Sequence, residues 1–127
     1  MSSRSLILIS LMGFLFVTLT QATEHIVGGK NGWSFPPTKD YYQQWSQQRK
    51  FRVGDKLVFD YTPSSDNVIE VGEKEFEQCT QDDVIDMQYD GHTVVKLDEA
   101  GKRYFYCGIA LHCESGMKFS VTVQPPS

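Results

Sequence analysis

Apolar residues in this chain recur at every second position, in short runs cut apart by turn residues, and that period commits it to β-structure. Leu57, Phe59 and Tyr61 alternate after a Gly54-Asp55 turn, and Phe119, Val121 and Val123 alternate near the end. A period of two sends successive side chains to opposite faces, so each run buries one of them. Val68, Ile69 and Val71 make another short strand, and Phe105 and Cys107 alternate inward on a later one. His25-Ile26-Val27 reads as the first strand, ended by Gly28-Gly29 and an Asn31-Gly32 turn. Asp90-Gly91 is a hairpin signal between Val84–Tyr89 and Thr93–Leu97. Tyr41, Tyr42 and Trp45 are large rings in a polar stretch and read as a strand or irregular segment packed on the core. Lys74 to Cys79 has room for about one or two helical turns. The total is about seven or eight strands with little helix, the pattern of an all-β sandwich or barrel.

The ends bound the compartment. Arg4 precedes a nearly unbroken apolar run from Leu6 to Leu19, and Thr20-Gln21-Ala22 offers a small residue for cleavage. That run is short for a bilayer span and reads as a secretory signal peptide over residues 1–22, leaving one domain over 23–127. No second apolar run follows, and the C-terminal Val123-Gln124-Pro125-Pro126-Ser127 lacks the hydrophobic tail of a lipid-anchor signal. Neither Asn31 nor Asn67 opens a glycosylation sequon. The expectation is a soluble, secreted monomer in the extracellular space (the apoplast, in a plant). A formal net charge of −4 argues against nucleic acid, which selects basic surfaces.

Three cysteines in an oxidising compartment leave one over: a free thiol, a metal ligand or an interchain bridge. Cys107, His112 and Met117 sit on one short loop, with four residues between each pair. Thiolate, imidazole and thioether in that order are three of the four ligands of a blue-copper electron-transfer site, whose fourth must come from elsewhere in the chain. Taken without further context, Cys107 could instead be a small buried hydrophobe and Met117 a core residue. A zinc site built from Cys107, His112, Cys113 and Cys79 is disfavoured, because adjacent His112 and Cys113 on an extended loop point apart. Nothing marks a cleft with an oxyanion hole for a Cys107–His112 thiol enzyme, so no enzyme is expected.

The mature chain resembles the phytocyanins, the plant branch of the blue-copper proteins, over essentially its whole length. The matching pieces are Val27-Gly28 with Gly32-Trp33, the run Phe51 to Phe59, Asn67-Val68 with Val71, and Cys79. They finish with Tyr104-Phe105-Tyr106-Cys107-Gly108 through His112-Cys113 to Gly116-Met117. The resemblance implies a Greek-key, cupredoxin-like β-sandwich with one disulfide, Cys79–Cys113, and one type 1-like copper ion near one end. It implies Cys107 as the thiolate ligand, His112 as an imidazole ligand and Met117 as the axial ligand. The family's first His stands immediately before the Asn that matches Asn67, and this chain has Asp66 there. Two readings follow: a plantacyanin-like one-electron carrier with one altered ligand and an unknown redox partner, or a copper-free extracellular recognition or signalling module of the early-nodulin-like type. In the first, Asp66 is a hard oxygen ligand that suits a compact thiolate site poorly; in the second, it is a solvated turn residue. The remaining histidines, His25 and His92, read as ordinary surface residues. Gly108-Ile109-Ala110-Leu111 would form a docking patch beside His112.

Overall fold

The structure, a computed structural model, describes residues 21–126, so nearly all of the expected leader lies outside the described residues. Eight strands make two sheets: β1 (Glu24–Ile26), β2 (Phe51–Arg52), β3 (Lys56–Asp60), β4 (Val68–Val71), β5 (Val84–Gln88), β6 (His92–Lys96), β7 (Gly101–Tyr106) and β8 (Lys118–Gln124). One sheet runs β1-β3-β6 and the other β2-β8-β7-β4-β5. β1 on β3 and β2 on β8 are parallel pairs, and the other pairings are antiparallel. The fold is the expected all-β sandwich with little helix.

Alternation carries the packing. Phe119, Val121 and Val123 of β8 are buried while Thr122 and Gln124 between and after them are exposed. Phe105 stacks on Phe119 at 5.5 Å, and Trp33 meets Tyr42, Phe59 and Phe119 edge-on at 4.8–5.7 Å. Rings offset in this way add about 0.5–1.5 kcal/mol per pair beyond the area they bury.

Three expectations need correction. Tyr41, Tyr42 and Trp45 lie on a helix, α1 (Tyr41–Gln47), not a strand or irregular segment. Its inward face is Tyr42 and Ser46 with half-buried Trp45, a spacing of three and four that a helix, and not a strand, turns to one side. Ser46 Oγ donates to the Ser120 carbonyl (2.5 Å) and the Gln43 side-chain oxygen accepts from Ser120 N–H (3.0 Å), so α1 is tied to β8. The second correction is at Asp90-Gly91, which closes no hairpin: β5 pairs with β4 and β6 with β3, in different sheets. The turn is instead the corner where the chain changes layers. Gly91 sits at φ +94° with its carbonyl accepting from Tyr61 N–H, and a Cβ there would meet Pro63 Cγ at 2.8 Å. Third, His25 is buried, unlike exposed His92. Its Nε2 donates to Asp55 Oδ2 (2.8 Å), and its Nδ1 accepts from Arg49 Nε (3.0 Å).

The second helix, α2 (Glu73–Gln78), fills the segment read as about one or two turns. It ends on Cys79, whose left-handed backbone (φ 54°) turns its side chain to Cys113 in the one disulfide of the described residues, Cα–Cα 5.8 Å. Cys107 is left as a buried free thiol. No described helix is long and apolar enough to cross a membrane.

Candidate metal centre

Two segments meet at one end of the sandwich. The first is the approach to β4, where Ser65 and Asp66 N–H both donate to the Thr62 carbonyl and fold the chain so that Asp66 points inward. Asn67 then fixes this turn to its surroundings. Its side-chain oxygen accepts from Gly108 N–H (2.7 Å) and its carbonyl from Trp33 Nε1 (2.8 Å). The second segment is the loop between β7 and β8. Cys107 N–H donates to the Met117 carbonyl (3.0 Å), and Met117 N–H to the His112 carbonyl (2.9 Å), closing the loop on itself. Gly116, at φ +104°, lets the loop lie against the chain before α1, where a Cβ would stand 2.0 Å from the Lys39 carbonyl oxygen.

The loop and the turn bring Asp66, Cys107 and His112 together, with their donor atoms within 4.8 Å of one another. Met117 is fully buried in the same core cluster as Cys107. Asp66 is only 4% exposed, which rules out a solvated turn carboxylate. The His112 side chain is 21% exposed. Phe35 stands edge-on to its ring at 5.3 Å, and Phe35 (57% exposed), Ile109 and Leu111 (68%) give the surroundings an apolar rim. Phe35 was not legible as part of this rim, because it lies far along the chain and is brought over by the Gly28–Trp33 turns. Asn67 was legible only through the family resemblance, since its role is to accept two long-range hydrogen bonds.

The three donor groups touch each other. Asp66 Oδ1 accepts from His112 Nδ1 (3.0 Å) and from the Cys107 thiol (3.4 Å), and Cys107 Sγ lies 3.5 Å from His112 Nδ1. A carboxylate oxygen only accepts, so the Nδ1 proton is directed at Asp66. Burial pushes the Cys107 thiol up; backbone N–H groups of Asn67 and Ile109 pull it down, and the Asp66 charge and hydrogen bond push it up again. The outcome is a thiol pKa raised to about 11.

The donor atoms stand 3.0, 3.4 and 3.5 Å apart, and it is their chemistry that tests a metal. A single imidazole, a thiol and a hard carboxylate are not the donor set of blue copper, which takes two imidazoles and a thiolate. The residues as they stand do not fit a blue-copper ion.

A two-sheet sandwich presenting a Cys–His–Met loop to a fourth residue before β4 defines a cupredoxin-like protein. Residues 33–117 match the plastocyanin-like domain family. The chain is 42% identical over 115 residues to early nodulin-like protein 14 of Arabidopsis thaliana, an alignment covering 89% of this chain and 63% of that protein. It is 38% identical over 105 residues to the cucumber peeling cupredoxin of Cucumis sativus, covering 81% and 77%. Among solved structures, cucumber stellacyanin superposes with a TM-score of 0.78 at 36% identity, covering 85% of this chain and 100% of that one. Cucumber basic protein, a blue copper protein, superposes at 0.69 and 36% identity, covering 79% and 98%. The chain belongs to the phytocyanin family. It spans less than two thirds of the length of the early nodulin-like relatives 14 and 15 that it matches.

Proposed function

We propose that this protein is a secreted, non-enzymatic binding module of the phytocyanin family, acting as a monomer, whose copper end is organised by Asp66 in place of a metal ion. The observation that carries the reading is a single oxygen, Asp66 Oδ1, accepting hydrogen bonds from both His112 and Cys107. A bound cation would draw these groups to itself. Here the carboxylate does so, and the loop from Cys107 to Met117 keeps its shape through its own backbone bonds. The apolar rim of Phe35, Ile109 and Leu111 then serves as a contact surface on a rigid support.

A second reading, the copper-loaded one-electron carrier with an unknown redox partner, draws on the retained Cys107, His112 and Met117 and on the partial exposure of His112. Metal analysis of protein purified from plant secretions without chelators separates the two. The binding-module reading expects copper far below one equivalent and no intense thiolate-to-copper absorption. A stoichiometric, intensely coloured copper ion would overturn it in favour of the carrier.

A further inference from the structure

Away from Asp66, between α1 and the exposed face of β2-β8-β7, lies an open cleft of about 730 Å³. Its charge runs against that of the molecule. The chain carries 12 Lys and Arg against 16 Asp and Glu. Four of the cations, Arg49, Lys50, Arg52 and Lys102, line this one cleft, and none of its 12 lining residues is acidic. With like charges gathered and no carboxylate among them, the cleft is a place for an anion.

The sheet register gives the anion its shape. On β8, Ser120, Thr122 and Gln124 share one face because they stand two apart. Lys102 of β7 is directly opposite Thr122, and Arg52 of β2 is directly opposite Gln124, on that same face. Two strand spacings across and two residues along put the Lys102 and Arg52 backbones about 12 Å apart. A chain bearing repeated charges can follow both cations along that span. Alongside the two cations runs a row of hydroxyl and amide side chains, which both donate and accept, as sugar hydroxyls require. Arg49 is held in place at the cleft by its bond to buried His25 (3.0 Å) and by the Trp45 ring 5.4 Å beneath its guanidinium. A guanidinium so fixed is suited to gripping a carboxylate through paired N–H groups.

We propose that this cleft binds an acidic oligosaccharide, a linear sugar chain bearing carboxylates. The volume is within the range of about 300–1,000 Å³ usual for small-molecule sites. The proposal goes beyond the reading of the Asp66 end and does not depend on the metal state there, since the two sites share no residue.

The test uses the full-length sequence secreted from a eukaryotic host, titrated calorimetrically with α-1,4-linked hexagalacturonate at low and physiological salt. Binding is expected, weakening as salt rises. Binding is expected to fall at least tenfold in Lys50→Glu/Lys102→Glu, and to be absent for the same oligomer with its carboxylates methyl-esterified. Both lysines are exposed, and an unchanged unfolding midpoint shows that the double variant is folded. The milder Lys50→Gln/Lys102→Gln pair should show a smaller loss in the same direction. Asp66→His, which alters only the other end, should bind hexagalacturonate as the wild type does. No binding to the acid form, equal binding to the ester, or unchanged binding in the charge-reversed variant would each overturn the proposal. So would tight binding of inorganic phosphate that displaces the sugar chain at equal concentration, which would mark a phosphate site.

Discussion

Asp66, itself buried, accepts two hydrogen bonds on one oxygen, from buried Cys107 and from partly exposed His112. Asp66→Ala should therefore destabilise the metal-free protein by about 1–3 kcal/mol, the cost of a buried donor left without a partner. Asp66→Asn keeps an acceptor oxygen and should lose less. Urea unfolding in metal-free buffer checks both, and an unchanged Asp66→Ala midpoint would show that the carboxylate organises nothing. The position of Asp66 was legible from the sequence, because the block around Asn67 places it. Its burial was not, because that depends on a loop 41 residues further on folding over it. His25 escaped for a similar reason. A three-residue strand shows too little alternation to mark its middle residue as inward, and its partners Asp55 and Arg49 are distant in the chain.

At the scale of elements, the loop from Cys107 to Met117 is held by backbone geometry at Gly116 and by the disulfide next to His112. Gly116→Ala places a Cβ on the Lys39 carbonyl at a positive φ. We expect a loss of at least about 2 kcal/mol, a strained backbone costing about 1–3 kcal/mol before the clash is counted. Thermal unfolding would register it. Reducing Cys79–Cys113 should remove about 3–4 kcal/mol by the chain-entropy estimate for a loop of this length. A denaturant titration with and without reductant measures that difference. Most strands were legible, because their apolar alternation is strict. The failures came where the local signal served another purpose. Asp90-Gly91 is turn chemistry used at a corner between sheets, where pairing is decided by β3 and β4. α1 has only seven residues, so its helical period is written in few positions, and its aromatic residues suit a strand equally well.

For the whole molecule, the His25–Asp55 hydrogen bond and the Arg103–Glu70 ion pair join distant parts, and the first of them ties stability to acid through Asp55. Burial pushes the Asp55 carboxyl up, but hydrogen bonds from His25 and from the Thr23 and Arg52 N–H groups outweigh it and hold the carboxyl below its ordinary value. A carboxyl depressed on folding contributes stability in full above its unfolded value of about 3.9 and loses it as pH falls through the lower folded value. Unfolding midpoints should therefore drop steeply below about pH 4, and Asp55→Asn should flatten that drop while lowering stability at neutral pH. A variant with an unaltered acid limb would show that Asp55 does not govern it. Arg103 pairs with Glu70 through two bonds of 2.7 and 2.8 Å, and this hydrogen bonding raises the guanidinium further above its ordinary value.

On the proposed reading, the sandwich, the disulfide and the loop of a copper centre are kept while Asp66 fills its position with hydrogen bonds. The most direct test is Cu(II) titration of the folded wild type and of Asp66→His, followed in the visible region. The account predicts weak binding without an intense thiolate-to-copper band for the wild type. It predicts a strong band for Asp66→His, abolished when Cys107→Ser is added, because the colour arises from the thiolate. A wild type that turns fully blue at one equivalent would contradict the claim that Asp66 stands in for the metal, and an Asp66→His protein that stays colourless would contradict the claim that the rest of the site is intact.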